Sequence, residues 1–480
     1  MGPAEGSARP SASGSAEPSA GPIPLPAGVR SAIDLLAAWI ESQMAYSGLP
    51  GLSIGIVHDQ QLVWAAGFGR AGLEPTRPAT PDTLYRIASI TKLFTSTAIL
   101  QLRDAGKLRL DDPLVEHLPW FRVGHAHAEA PAVTIRHLLT HTAGLPREAG
   151  FPYWTDGDFP TAPQIRDKLA EQQAALPTET EWKYSNLGLT LAGEIVATVS
   201  GRAYPAYVAE HILEPLGMRR TWVTTPPADH PDLATGYTRR LPAGARTVAP
   251  FTDCDGITPA ANMTTSVTDL ARFAMLQFRD GAAGGAHILR GSTLREMQRV
   301  HWLEPDWEAG WGLGFRVMRT RGKTYVGHGG SLRGYRTIIH LCPADRIGVV
   351  VLTNADDGNP LQFADKAFQW VAPAIVKAVT PPAPASPPAG WERYAGRYRS
   401  PWADVQVLVV EGRLAMIDPS LPDPMLAVTW LHPVSEHTFR GETKNGFGSH
   451  GEPVVFVLTA DGRVARLKIG ENFLASVADW

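Results

Sequence analysis

An α+β fold is predicted: an antiparallel sheet flanked by helices, with a helical insert, followed by a small all-β module, a barrel or a sandwich. Three observations carry this. Strand-like runs cluster in two distant places, Gly51 to Gly69 and Gly314 to Asn354, with helical spacing between them. A proline-rich break, Pro381 to Pro388, reads as an extended, semi-rigid spacer. Beyond it, short apolar runs alternate with turn dipeptides.

Taken in order, residues 1–30 are Ala, Ser, Gly and Pro with few large apolar side chains, the composition of a disordered tail. GLSIGIVHDQQLVWAAGFG reads as a hairpin. Helical periodicity follows from Ile87 to Gly106, Leu187 to Ser200, Tyr204 to Leu216 and Ser266 to Phe278. GFRVMR, TYVGH and YRTIIHLCPADRIGVVVLTN return to strands. A lone hairpin is marginal at best, so the distant strands are expected to meet in one sheet closed from both ends of the region. The expected division is a tail (1–30), a main domain (31–375), a linker (376–390) and the all-β module (391–480), where Glu411-Gly412 and Asp461-Gly462 mark hairpins.

A chain of 480 residues suggests roughly three units at about 150 residues each, or one large domain with a small one. With 44% hydrophobic and 19% charged residues it can bury a sizeable core. Lys and Arg number 44 against 47 Asp and Glu, so nothing draws it to a polyanion, and nucleic acid is not an expected partner. No run reaches the length of a membrane span and no apolar signal-peptide core follows Met1. A soluble protein is expected, with the cytoplasm favoured, a trimmed leader left open and the compartment unassigned. Cys254 and Cys342 lack zinc-site spacing and read as two separate buried thiols rather than a disulfide. The 46 Gly, 41 Pro and 14 Trp imply many turns and more large flat side chains than a core requires.

Three segments carry chemistry. In YRIASITKLFTSTAILQLRDAGKL, Ser89 sits where an irregular stretch becomes a helix, and Lys92 lies one turn on, on the same face. Free N–H groups at the helix start can stabilise an oxyanion, and the positive end disfavours the ammonium form of Lys92. A desolvated Lys92 could then take the Ser89 proton. Tyr184-Ser185-Asn186 precedes another helix. A tyrosine near a lysine is expected to lose its proton more readily, and the Asn186 amide can orient Lys92. Gly327-His328-Gly329-Gly330-Ser331 lies on a strand, where dense glycine permits close approach of a ligand or backbone. The N–H of Ser331, beside Gly330, could join that of Ser89 in an oxyanion hole.

In the order S-x-x-K, Y-x-N and H-G-G these segments resemble the serine β-lactamase and penicillin-binding-protein superfamily, most of all its class C β-lactamases, esterases and D-aminopeptidases. The resemblance covers about Ile33 to Pro373 and includes HLLTHTAGL, ILEPLGM and TTSVTDLARF. It implies a β-lactamase/DD-peptidase-like fold, with Ser89 as nucleophile, Lys92 as base and Tyr184 sharing proton transfer. Asn186 and His328 would support them, and Ser89 with Ser331 would hold the oxyanion. His328-Gly329 stands where penicillin-recognising members carry Lys-Thr, which puts β-lactam and D-alanine carboxylate recognition in doubt. Arg333 or Arg336 could substitute.

A metallohydrolase is the competing class, since His125, His127, His137 and His141 have chelating spacings with Glu129 nearby; without H-E-x-x-H, no metal is expected and His137 and His141 are assigned structural work. Trp120, Phe121, Phe151, Tyr153, Trp154, Trp302, Trp307 and Trp311 are expected to shape an apolar pocket for an aromatic or apolar substrate portion. The C-terminal module more loosely resembles the lipocalin-like barrel of some relatives, which borders the active site or mediates assembly. The expected function is hydrolysis of an ester or amide of a small molecule or peptide through an acyl-serine, without cofactor. The alternatives are a peptide thioesterase, transpeptidase or D-aminopeptidase of the same superfamily, or a non-catalytic binding or assembly protein, and a homo-oligomer is possible.

Overall fold

The computed structural model describes residues 25–124, 129–241, 244–280, 286–380 and 390–478. Its contacts divide the chain into two units, Met1–Ala378 and Val379–Trp480.

The strands of the first unit are β1 (Gly51–His58), β2 (Gln61–Gly72), β3 (Arg77–Pro78), β4 (Tyr85–Arg86), β5 (Thr264–Thr265), β6 (Trp302–Leu303), β7 (Ala309–Trp311), β8 (Arg316–Thr320), β9 (Lys323–Leu332), β10 (Tyr335–Cys342) and β11 (Ile347–Thr353). Nine of them form one sheet in the order β3-β2-β1-β11-β10-β9-β8-β7-β6, while β4 and β5 pair separately. The expected closure occurs between β1 and β11, antiparallel from Leu52 opposite Thr353 to His58 opposite Ile347. The fold is thus an antiparallel sheet with helices.

Alternation along β11 divides the interior in two. Val349 and Val351 face a core shared with the helices Ala27–Ser47 and Pro360–Val379. Val350 and Leu352 face the larger core, which contains Phe94, Phe273 and the helices Thr91–Asp104, Asn186–Ser200 and Val267–Leu276. Cys254 is buried in the larger core and Cys342 in the other; both are free thiols.

Both ends of this unit correct the sequence reading. The helix Ala27–Ser47 begins inside the stretch read as a tail, because Val29, Ile33, Leu36, Ile40 and Met44 recur at helical spacing and bury one face. Pro360–Val379 runs past residue 376, where the linker was placed, carried by Phe363, Ala367, Val371 and Ile375 on its buried face. Residues 1–24 and the spacer Pro381 to Pro388 lie outside the described residues.

The second unit is a closed barrel of eight strands, β12 (Gly396–Arg399), β13 (Asp404–Val410), β14 (Arg413–Ile417), β15 (Thr429–Ser435), β16 (Thr438–Thr443), β17 (Pro453–Leu458), β18 (Val464–Ile469) and β19 (Asn472–Val477). Pairing of Arg397 with Val477 closes it and leaves no free edge. Tyr398, Val407, Leu414, Phe439, Phe456 and Leu467 fill its interior. The barrel decides between the two expected forms. Among the described residues no helix is long and apolar enough to cross a membrane.

Candidate active site

Ser89 occupies a 3-10 turn, Ala88–Ile90, that runs directly into the helix Thr91–Asp104. Ala88 takes φ of +48°, a left-handed conformation costly for a side chain with Cβ. Neighbouring bonds hold it there. Thr91 Oγ1 donates to Ala88 O at 2.6 Å and accepts the Met263 N–H at 3.2 Å, while Ile87 O accepts from Thr337 Oγ1 at 3.1 Å. From Thr83 to Leu100 every residue is buried except Ser89, which is partly open. The turn presents one hydroxyl from an otherwise sealed segment.

Lys92 is fully buried, and its Nζ lies 3.1 Å from Ser89 Oγ, 2.8 Å from Asn186 Oδ1 and 2.7 Å from Ala260 O. Burial holds its pKa down to about 7, with Glu148 acting in the opposite direction. Desolvation, rather than the helix start alone, is therefore the main reason the ammonium is disfavoured.

Asn186 opens the helix Asn186–Ser200. Ser185 is its cap, accepting the Gly188 N–H at 2.9 Å and donating to Pro146 O at 2.7 Å. Tyr184 precedes the cap with its ring 4.9 Å from Lys92 Nζ, and it lines the same cleft as Ser89. Burial pushes the Tyr184 phenol above its usual value, a correction to the expected depression: the cost of a buried phenolate exceeds the effect of the cations nearby.

His137 and His141 do separate structural work, as the sequence reading assigned. His137 Nδ1 accepts the Thr134 N–H at 3.2 Å and completes the cap of its own helix. His141 Nδ1 accepts the Ser185 N–H at 3.2 Å, which ties HLLTHTAGL to the Tyr184 segment. His125 and His127 lie outside the described residues.

On β9, His328 Nδ1 is 2.7 Å from Gly329 O. A carbonyl only accepts, so Nδ1 carries the proton and Nε2 presents a lone pair. Nε2 is buried with no hydrogen-bond partner among the described residues, and burial holds the ring at a pKa of about 3. The neutral ring thus presents an acceptor at this edge. Gly330 is packed hard: a Cβ there would lie 2.1 Å from both Ile87 O and Thr337 Oγ1, which brings the strand against the Ser89 turn. At Gly329 the nearest atom would be 3.7 Å away, so space for a side chain remains.

Ser89, Tyr184, Asn186, His328, Gly329, Gly330 and Ser331 line one cleft of about 790 Å³. Lys92 lies beneath it. Of the aromatics named from sequence, Trp154 and Trp311 line the cleft. Phe121 and Tyr153 are buried in the core, Trp120 and Phe151 pack against it, Trp302 is on the edge strand β6, and Trp307 is exposed at a turn. Trp182 joins the wall unannounced, stacked on Trp311 at 5.1 Å. The cations at the cleft are Arg147 and Arg316. Arg336 instead donates to Leu332 O and Tyr335 O, and Arg333 is not in the lining. Glu148, also in the wall, has no sequence motif around it.

A family model described as Beta-lactamase matches residues 36–374. The chain belongs to the beta-lactamase family. Within that family, Beta-lactamase-like protein 2 of Dictyostelium discoideum is 30% identical over 342 residues, covering 70% of this chain and 61% of that protein. The chain thus spans less than two thirds of that relative's length. Among solved structures, the octameric penicillin-binding protein homologue from Pyrococcus abyssi is similar with a TM-score of 0.62 and 27% identity, covering 93% of this chain and all of that one. A D-stereospecific amidohydrolase from Streptomyces shares the fold with a TM-score of 0.58 and 24% identity, over 69% of this chain and 97% of that one. The family model spans all the beta-lactamase-like motifs of the sequence, from Ser89 to Ser331.

Proposed function

We propose that this chain is a serine hydrolase that cleaves an ester or amide bond through an acyl-serine. One observation carries the reading, the set of three oxygens around Lys92 Nζ. Asn186 Oδ1 and Ala260 O can only accept, so a neutral amine gives its two N–H groups to them and turns its lone pair toward Ser89 Oγ, the one neighbour with a proton to give. With a pKa near 7, a large fraction of Lys92 is neutral at physiological pH.

Ser89 Oγ attacks the carbonyl carbon as its proton passes to Lys92. The N–H groups of Ser89 and Ser331 are the proposed oxyanion donors, with Gly330 setting the spacing between strand and turn. The bond to the leaving group breaks, and that group departs with the proton from Lys92, directly or through the Tyr184 hydroxyl. Water then attacks the acyl carbon and Ser89 recovers its proton. His328 Nε2 would accept an N–H or O–H from the bound substrate, and Trp154, Trp182 and Trp311 would contact its apolar part. A neutral acceptor here offers no positive charge to a substrate carboxylate, which leaves Arg147 and Arg316 as the cations of the cleft. Assembly into a homo-oligomer is a further part of the proposal, supported by the octamer named for the Pyrococcus homologue.

A fluorophosphonate probe tests the nucleophile. The wild type is expected to label and Ser89→Ala to lose labelling; equal labelling of the variant would remove Ser89 from the mechanism. Relative turnover of short nitrophenyl esters, D-amino-acid amides and linear peptide thioesters then sets the substrate class.

A further inference from the structure

Glu148 lies in the loop after the helix Ile135–Thr140, and that loop is docked onto the start of the helix Asn186–Ser200. The N–H groups of Asn186 and Leu187 donate to Arg147 O at 2.8 and 3.3 Å, and Ser185 Oγ donates to Pro146 O at 2.7 Å. Glu148 is thereby carried to the Asn186 side chain. Among the described residues, every hydrogen-bond partner of its carboxylate is a donor. Asn186 Nδ2 reaches Oε1 at 2.9 Å and Oε2 at 3.0 Å, Arg147 Nε reaches Oε1 at 3.0 Å, and the Tyr153 hydroxyl reaches Oε2 at 2.5 Å. Tyr153 is held as the donor because its own oxygen accepts the Ala149 N–H at 3.3 Å.

An amide whose NH2 faces a carboxylate has one orientation, so Asn186 Oδ1 must turn to Lys92. Charge points the same way. Of the titratable groups around Lys92, burial holds His141 and His328 well below the usual histidine range, raises Tyr184 and Tyr153, and pushes the Cys254 thiol up to about 12. At neutral pH these groups carry no charge. That leaves Glu148, which favours the ammonium, and Arg147, which opposes it.

We infer that Glu148 is a positioning residue of this site: it fixes the Asn186 amide and supplies the negative charge that stabilises the Lys92 ammonium formed when Ser89 gives up its proton. The inference deepens the hydrolase reading and rests on Lys92 as its base.

The test reads Lys92 directly, by NMR of the full chain labelled at lysine Cε, with the signal identified by its loss in Lys92→Met. In the wild type its midpoint is expected near 7. Glu148→Gln keeps the shape and removes the charge, and should lower the midpoint by about one pH unit. Arg147→Gln removes the opposing cation and should raise it. The acid limb of the labelling rate should move in parallel. An unmoved midpoint in folded Glu148→Gln, or both variants moving the same way, overturns the inference. If Glu148→Gln does not fold, Arg147→Gln decides, and an unmoved or lowered midpoint overturns it. Because the titration needs no turnover, failure of the hydrolase reading is distinguishable: it appears as absent fluorophosphonate labelling with the NMR shifts intact.

Discussion

Lys92 is a residue held against its own preference. A lysine in water keeps its proton far above neutral pH, and here burial brings its pKa to about 7. The sign for activity follows, because only the neutral amine accepts a proton. The second-order rate of fluorophosphonate labelling is expected to rise with pH, with a midpoint near 7, and to level off above about pH 8. A flat profile between pH 6 and 8 would exclude Lys92 as the base. His328 shows the complementary principle: burial keeps its ring neutral and one bond to Gly329 O fixes the tautomer, so that a potential cation becomes an acceptor.

At the scale of elements, the site is a meeting of strand β9 with the Ser89 turn, and Gly330 sets their distance. Gly330→Ala places a methyl group 2.1 Å from the Ile87 carbonyl oxygen, a backbone atom fixed by Thr337. It is expected to cost about 1–3 kcal/mol in thermal or urea unfolding and to reduce labelling sharply, whereas Gly329→Ala has room and should do neither. Equal behaviour of the two variants would refute this account of the strand. Much of this architecture was legible in the sequence. The hairpin from Gly51, the helices after Ile87 and Leu187, and the strands around His328 announce themselves by period and punctuation. Ser89 and Lys92 were legible because their spacing at a helix start translates directly into proximity; Tyr184 and Asn186, distant from them in sequence, were legible only through the motif resemblance. Glu148 and Trp182 were not, since they reach the cleft through loops docked by bonds between distant segments, which leave no local period. The opening helix was obscured for another reason: its apolar stripe begins in Ala- and Gly-rich sequence continuous with the tail. Tyr184 was misjudged because proximity to a cation is visible in a motif and depth of burial is not.

Across the whole molecule, each unit has a core of its own, and the first has two, one on each side of its sheet. The two sides differ in how their cover is connected. The larger core is sealed by helices within the chain's interior, the other by Ala27–Ser47 and Pro360–Val379, which stand at the two ends of that unit. Elements at the edge of a folded unit commonly open at lower free energy than those packed within it. One thiol lies under each cover, Cys254 on one side and Cys342 on the other, both wholly shielded from solvent. Such thiols do not react until the surrounding structure opens. The chain therefore contains its own pair of clocks. In dilute denaturant, alkylation followed by peptide mass spectrometry is expected to modify Cys342 before Cys254, timing the release of the end helices separately from the collapse of the face that holds Ser89.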